Sequence, residues 1–216
     1  MKRTLSFILS GLLLFSLAAC GSGDKQADTA KPESAQTAGG SVKVEGSTIT
    51  ITDDGSGKAV DENGMKKEPI VTNKSIEASG QIGPIKFTIT SAQLSKATVT
   101  NEQAAALMRV EEGQEFAIVG IGMDVENTVD DEIDFFPNQG TIVTNTKEQV
   151  DAALFLSEDI GGKFLGKVKK SGQTYFICKN SVADDITSIK FHVNGPLNIK
   201  TGEASDAMNI EINFNR

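Results

Sequence analysis

The side chains that could do chemistry in this sequence include a short run of carboxylates. Asp130, Asp131, Glu132 and Asp134 follow the strand-like stretch that contains Asp124. Grouped carboxylates can bind calcium, and a pair of them can act as acid and base, as in glycosidases. Neighbouring residues of an extended chain point in opposite directions, however. We therefore favour a third interpretation, an acidic loop exposed to solvent.

Histidine and cysteine add little to this set. The sequence has one histidine, His192, and two cysteines, Cys20 and Cys178. Zinc sites usually draw on several of these residues, so no metal site of that kind is expected. A Ser-His-Asp or Cys-His catalytic group would have to use His192. That residue alternates with Phe191 and Val193, which predicts that it faces solvent. Cys178 is predicted to be a small buried hydrophobe.

The N-terminus has the pattern of a secretory signal. A basic Lys2-Arg3 pair precedes an apolar run that ends in Leu17-Ala18-Ala19-Cys20. A membrane-spanning helix would need a longer run, of roughly 20 apolar residues. Leu-Ala-Ala-Cys resembles the lipobox of bacterial lipoproteins. The resemblance implies that residues 1–19 are a cleaved signal peptide and that lipid, including palmitate, is attached to the Cys20 sulfur. The mature chain would then be anchored to the extracytoplasmic face of the cell membrane.

Charge and glycine spacing exclude other classes of partner. The formal net charge is -8, and nucleic-acid binding needs clustered Lys and Arg, so no nucleic-acid partner is expected. Gly120 and Gly122 lack the third glycine and the helix start of a dinucleotide motif. Two glycines on one strand face are instead typical of close packing. We therefore predict no cofactor.

The first part of the mature chain is predicted to be a tether. Residues 20–40 are expected to form a lipidated flexible stalk, because 21–40 contain no Val, Ile, Leu or aromatic residue. Residues 41–74 are predicted to be an extended or hairpin linker. A strand is indicated by the alternating apolar residues Val42, Val44, Ile49 and Ile51. Turns are indicated by two Gly-containing stretches, 53–57 and 61–64.

Residues 75–216 are predicted to form the compact domain. The stretch Glu115–Thr128 is apolar on both faces, which places it in the middle of a sheet. Alternation predicts the other strands, at 85–89 with a bulge near Ser91, 141–143 and 149–152 as a hairpin, 173–178, 189–193 and 210–214. Turns are predicted at Gly161-Gly162 and Ser171-Gly172.

One short helix is predicted between the strands. Thr100-Asn101-Glu102-Gln103 is a capping-box pattern. Ala104, Leu107 and Met108 follow at helical spacing, and the Leu-Met stripe is predicted to face the core. Further along the chain, Phe135-Phe136 is predicted to close the end of the core, with an exposed binding patch as the alternative.

Several short strands, frequent turns and one helix predict an all-β sandwich. The order of elements resembles bacterial lipoproteins with a telokin-like, immunoglobulin-like extracellular domain of unknown function. The likeness covers roughly Ile76 to Phe214. It includes Val125-Glu126-Asn127 and the Gly-rich approach from Gly166 to Tyr175-Phe176. The resemblance implies an immunoglobulin-like (telokin-like) β-sandwich with one short helix, preceded by a disordered stalk. The family has no shared catalytic residues, so only Cys20 is transferred as a site.

The leading hypothesis is a non-enzymatic surface lipoprotein whose domain binds a surface protein or a cell-wall component. A first alternative is a module that binds calcium or a small ligand through the acidic loop near 124–134. A second is an envelope hydrolase that uses Asp130, Asp131 and Asp134 as paired carboxylates. The breadth of the resembling family also admits a phage-encoded exclusion lipoprotein.

Replacing Cys20 with alanine should abolish both incorporation of a fatty-acid label and retention in the membrane fraction, because the lipobox sulfur is the attachment point. Metabolic labelling with an alkyne fatty acid, followed by cell fractionation, measures both. Cys178→Ala is the matched control and should keep the label. A labelled Cys20→Ala protein would contradict the lipoprotein interpretation.

Overall fold

The computed structural model describes residues 42–43 and 48–216. This part of the chain is mostly β, with one α-helix, α1 (Glu102–Met108), and two short 3-10 turns, Pro137–Gln139 and Ala183–Asp185. In chain order the strands are β1 (Val42–Lys43), β2 (Thr48–Thr52), β3 (Val60–Glu62), β4 (Met65–Asn73), β5 (Ala78–Ile82), β6 (Ile85–Val99), β7 (Glu115–Asn127), β8 (Glu132–Phe135), β9 (Thr141–Thr144), β10 (Gln149–Asp151), β11 (Gly162–Leu165), β12 (Lys169–Cys178), β13 (Ser188–Val193), β14 (Leu197–Asn198) and β15 (Met208–Asn215). Within the described ranges, no helix has the length and apolar character that a membrane crossing requires.

The strands form three sheets. In the seven-stranded sheet, β5 and β4 pair with successive halves of one edge of β6, and β7 pairs with the other edge. Strands β1, β3 and β12 extend this sheet from β5, β4 and β7. The five-stranded sheet has the order β10-β9-β13-β15-β2, and the three-stranded sheet has the order β11-β8-β14. Strand pairs are antiparallel except β1–β5 and β15–β2.

The ladder between β6 and β7 is the longest in the described chain. It runs from Ile85 opposite Asn127 to Thr98 opposite Glu115. A shift in register between Ile89 and Ser91 confirms the predicted bulge. The extra residue keeps Ala92 and Leu94 on the main-core face that Ile89 occupies, since a one-residue slip would otherwise turn them to the other face.

The main core lies between the seven-stranded and five-stranded sheets, which confirms the predicted sandwich-like packing of a mostly β chain. Alternate residues of the long strands supply it, as period-two alternation requires. Phe176 of β12 meets Phe191 of β13 edge to face, with ring centroids 5.8 Å apart. The predicted strands at 189–193 and 210–214 contribute Ile189, Phe191, Val193, Ile210, Ile212 and Phe214 to this core.

A second, smaller core covers one end of the outer face of the seven-stranded sheet. Phe116 and Ile118 of β7 and Ile177 of β12 lie there against α1. Strand β7 is therefore buried on both faces, as the sequence predicted. Further along the same face, a Cβ added at Gly120 would lie 3.0 Å from the Tyr175 ring. This contact confirms the close packing predicted for the glycines.

Strands β2, β3 and β4, which lie between residues 48 and 73, belong to the sheets, so the domain boundary that the sequence placed near Ser75 needs correction. Strand β2 pairs with β15, and its Ile49 and Ile51 are buried in the main core. Strand β4 pairs with β6 along eight residues of that strand. Of the two forms predicted for the linker, the structure therefore shows the hairpin, joined to the domain. The predicted signal peptide 1–19 and stalk 20–40 lie outside the described residues.

The hairpin between β3 and β4 turns at Asn63-Gly64, within a predicted turn. Both residues have positive φ, 53° and 73°, which is the geometry that an Asn-Gly pair allows in a two-residue turn. The predicted hairpin between β9 and β10 is also present. Ser171-Gly172 is not a turn, however. Both residues lie inside β12, opposite Asp124 and Met123.

Asn127, the last residue of β7, is fully buried and ties three segments together. Its side-chain amide donates 2.9 Å hydrogen bonds to the carbonyls of Asp131 and Gly166. Its side-chain oxygen accepts from the backbone N–H of Val129 at 3.1 Å. Most buried polar groups in proteins are hydrogen-bonded, and the bonds of this one hold the acidic loop against the β11–β12 turn.

Replacing Asn127 with alanine should lower the free energy of unfolding by about 2–3 kcal/mol, because two carbonyls and one N–H lose their partner. Urea unfolding followed by circular dichroism measures the change. Asn194→Ala is the control, since Asn194 is exposed, and it should shift stability by less than about 0.5 kcal/mol. Equal effects of the two substitutions would show that the buried amide does not hold the loop.

Candidate functional site

Cys20, the one site residue predicted from a family resemblance, lies outside the described residues. The other sequence-predicted candidates are all described, and they do not come together. His192 is exposed on β13, as predicted, and its Nδ1 lies 2.8 Å from Asn209 Oδ1. Cys178 is buried on β12, also as predicted. Burial, aided by the nearby charge of Glu148, raises the pKa of its thiol to about 12.

The acidic loop is interleaved with lysines from distant parts of the chain. Asp130 faces Lys167 at 3.3 Å, Asp131 faces Lys200 at 3.2 Å, and Glu132 pairs with Lys163. A hydrogen bond from Asn198, and then that from Lys200, lowers the pKa of Asp131. Three carboxylates of this loop, those of Asp130, Asp131 and Glu132, are thus already paired with cations.

Asp124 lies apart from the loop, on the outer face of β7. Its carboxylate accepts from Lys169 at 2.7 Å and from Ser171 at 2.6 Å. Burial favours the neutral acid, but these two hydrogen bonds outweigh it, so the pKa of Asp124 is lowered. Asp134 lies on β8 opposite Lys163.

This arrangement leaves the calcium and hydrolase hypotheses without a prepared site. Calcium requires six to eight oxygen ligands, so it would have to displace the paired lysines. Within residues 48–216, no group of three or more His, Cys, Asp or Glu side chains is placed to hold a metal ion. Phe135 is buried beside the loop as predicted, whereas Phe136 is 40% exposed.

The most exposed apolar side chains near a cavity lie at the other end of β7, around α1. The helix begins where Asn101 accepts a 2.8 Å hydrogen bond from the Ala104 N–H, and it ends at Arg109 in the left-handed conformation. Ala104, Ala105 and Met108 pack on the outer sheet face. Leu107 is 58% exposed, contrary to prediction. At 100° per residue, it points about 100° away from the centre of the buried face.

A turn after β10 forms the opposite side of the cavity. The backbone N–H of Ala153 donates to Tyr175 O at 2.7 Å, and the Ala153 carbonyl accepts from Leu156 at 2.9 Å. The Ser157 hydroxyl then accepts from the Tyr175 N–H at 2.9 Å. These bonds fix the turn along the edge of β12. Leu154 and Phe155, at its tip, are 59% and 54% exposed.

Between the helix and this turn lies an open groove of about 630 Å³. We call it the α1 groove. Met108 and Ile177 are among the residues that line it, together with the exposed Leu107, Leu154 and Phe155. Isolated exposed apolar residues are ordinary, but these three line one concave surface, which makes the α1 groove the candidate interaction site.

Two cations lie in the lining of the groove, Arg109 and Lys179, with Asp151 as the one carboxylate. The Lys179 ammonium lies 3.4 Å from the Arg109 carbonyl. Neither cation forms an ion pair with the described residues. The groove is thus apolar, with a net positive lining in an acidic protein.

Sequence reasoning missed the groove because its parts are far apart in the chain. The only signal was the pair Leu154-Phe155, which follows a β-hairpin and precedes Ser157-Glu158. A second cavity of about 320 Å³ lies between the β5–β6 turn and residues 204–210. None of the described residues that line it is a large exposed apolar side chain, so the α1 groove is the stronger candidate.

No protein-family model matches the chain, and no curated protein matches it. Among solved structures, a functionally unknown protein of Listeria monocytogenes aligns over 59% of this chain and 74% of its own, with 9% identity and a TM-score of 0.48. A candidate lipoprotein of Bacillus subtilis, YcdA, aligns over 65% of this chain and 39% of its own, with 10% identity and a TM-score of 0.41. Similarities this weak identify neither a fold family nor a function.

The buried thiol should make stability fall at alkaline pH. The unfolded chain releases the Cys178 proton near an ordinary pKa of roughly 8.5, whereas the folded chain keeps it until about pH 12. The thiol's contribution is therefore complete below pH 8.5 and should decline by about 1 kcal/mol per pH unit above roughly pH 9.

Urea unfolding of the wild type and of Cys178→Ala between pH 7 and 11 isolates this effect, because all other groups titrate in both proteins. The wild type should lose more stability with pH than the variant does. Parallel pH profiles would show that Cys178 ionises as readily in the folded protein as in the unfolded chain.

Proposed function

We propose that this protein is a lipid-anchored protein of the cell surface whose immunoglobulin-like, telokin-like domain binds a protein partner without catalysing a reaction. The anchor rests on the Leu17–Cys20 lipobox, which exports the chain and ties it to the extracytoplasmic face of the membrane. Diacylglyceryl lipid supplies two acyl chains, and two chains are enough for stable anchoring.

The immunoglobulin-like assignment is supported by how the sandwich is closed. Two mostly antiparallel sheets enclose one core, as in immunoglobulin domains. The early strand β2 pairs in parallel with the last strand, β15, from Thr48 opposite Glu211 to Thr52 opposite Asn215. This pairing joins the start of the described domain to its end within one sheet.

The single observation that carries the binding function is the α1 groove with its three exposed apolar side chains. Leu107, Leu154 and Phe155 are each more than half exposed, so they contribute little to the core. Aromatic residues and arginine are enriched at protein interfaces, and Phe155 and Arg109 both lie in the lining. An apolar surface favours a protein partner. A site for a cell-wall polysaccharide would instead present hydroxyl and amide groups that form hydrogen bonds with the sugar.

The absence of catalysis is part of the proposal. His192 and Cys178 lie at exposed and buried positions, respectively. Asp130, Asp131 and Glu132 of the acidic loop are paired with lysines.

A photo-crosslinking amino acid at position 155 should capture a recurrent partner in intact cells that carry the lipidated protein. The same amino acid at Leu165 is the control, because Leu165 is 68% exposed but lies beside the far end of β7, about 30 Å away at 3.3 Å per residue. Mass spectrometry of the adducts identifies the captured protein.

The adduct at position 155 should be lost when Leu154 is replaced by glutamate, since a charge would then enter the apolar contact. It should persist with Leu165→Glu. If both photo-probes capture the same proteins, or if position 155 captures none, the groove is not the binding site.

A further inference from the structure

We infer that the α1 groove receives an acidic amphipathic segment of a partner protein, with apolar side chains in the groove and carboxylates against Arg109 and Lys179. The inference rests on the proposed function and specifies the partner's chemistry. The groove volume of about 630 Å³ holds several side chains. Because it is open along one side, it suits a segment laid across it, as in helix-in-groove recognition.

The charges of the groove are the reason for inferring an acidic partner. The chain has a formal net charge of -8, so most of its surface repels an acidic segment. Arg109 and Lys179 are local exceptions placed beside apolar side chains. Neither is neutralised by an ion pair among the described residues. Such a site offers both the apolar contact and the charge complementarity that set partner choice.

The backbone geometry keeps these two cations available. Arg109 ends α1 by donating its backbone N–H to the carbonyls of Ala105 and Ala106. Lys179 donates its backbone N–H to Glu148 Oε1 at 2.8 Å. Both positions are thus fixed through the main chain. The Lys179 ammonium donates a long, 3.4 Å hydrogen bond to the Arg109 carbonyl, and neither cation has a carboxylate partner among the described residues.

A second copy of this chain is a poorer occupant. The surface around its three-stranded sheet presents the exposed aliphatic residues Leu165, Leu197 and Ile199 near carboxylates. The neighbouring carboxylates Asp131 and Glu132 are already paired with Lys200 and Lys163. That surface therefore offers apolar area but few free negative charges.

The test is a display library of random twelve-residue peptides, selected on the full lipidated protein in detergent micelles. Peptides that also bind the Leu154→Glu, Phe155→Glu double variant are discarded. The remaining sequences should contain at least three apolar residues and an excess of Asp and Glu. A selected peptide, made with Lys in place of its Asp and Glu, should bind at least about tenfold more weakly.

Variants of the cations then separate charge from shape. Arg109→Gly suits the left-handed backbone, φ 56°, and Lys179→Met keeps an unbranched apolar stem. Together they should weaken the acidic peptide about five- to tenfold and flatten its salt dependence. Far-ultraviolet circular dichroism and a melting curve establish that the variants are folded. Leu165→Glu is the matched surface control and should bind as the wild type does.

Each other outcome overturns the inference. If the selected peptides are neutral or basic, if they are insensitive to the two cation variants, or if none is selected, the partner is not acidic. A dimer that dissociates in the Leu154→Glu, Phe155→Glu variant would make a second copy the occupant. Crosslinks at position 155 to a partner without an acidic segment would overturn this inference and leave the proposed function standing.

Discussion

Strand β7 is apolar on both faces, and the fold has to cover both of them. The inner residues, such as Val119 and Ile121, meet the five-stranded sheet. The outer residues Phe116 and Ile118 need a second cover, which α1 supplies. The helix has only seven residues, so its cover stops within a few strand positions. The α1 groove lies where this cover ends. Burial of the central strand therefore determines both the position of the helix and the surface left open beside it.

At its other end, β7 is held by polar contacts in place of apolar cover. Asn127 binds the carbonyls of Asp131 and Gly166 through one buried amide. These bonds bring the acidic loop alongside the β11–β12 turn, where the lysines of that turn and its strands lie. Closing the sheet therefore places the consecutive carboxylates of the acidic loop beside Lys163 and Lys167, two of the three lysines that pair with them.

Period-two alternation predicted β7, β13 and β15 and parts of β6 and β12, because side chains two residues apart share a face of a strand. It also identified β7 as central, since both of its faces are apolar. It did not predict β4. Alternation gave the wrong prediction where the structure of a residue depends on the strand or sheet that packs against it. Ser171-Gly172 has the composition of a turn, but its pairing with β7 makes it strand. Leu107 has helical spacing, but the short helix meets the sheet with Ala104, Ala105 and Met108. No local sequence pattern specifies how the helix is rotated against the sheet, and therefore which of its residues are buried.

The difference between local and long-range information also applies to the two surfaces that could have a function, the acidic loop and the α1 groove. Asp130, Asp131 and Glu132 are neighbours in sequence, and their clustering invites a chemical interpretation. Their partners Lys167, Lys200 and Lys163 are 31 to 69 residues away, so the local charge cannot be judged from the cluster alone. The α1 groove differs from the acidic loop, because Leu107, Phe155 and Lys179 are distant in sequence and form one surface only in the folded chain. A charge that is already paired within its own chain attracts a charged partner only weakly. Apolar side chains beside unpaired cations still have both area and charge to contribute, and a lipid anchor at the membrane would hold them where envelope proteins pass.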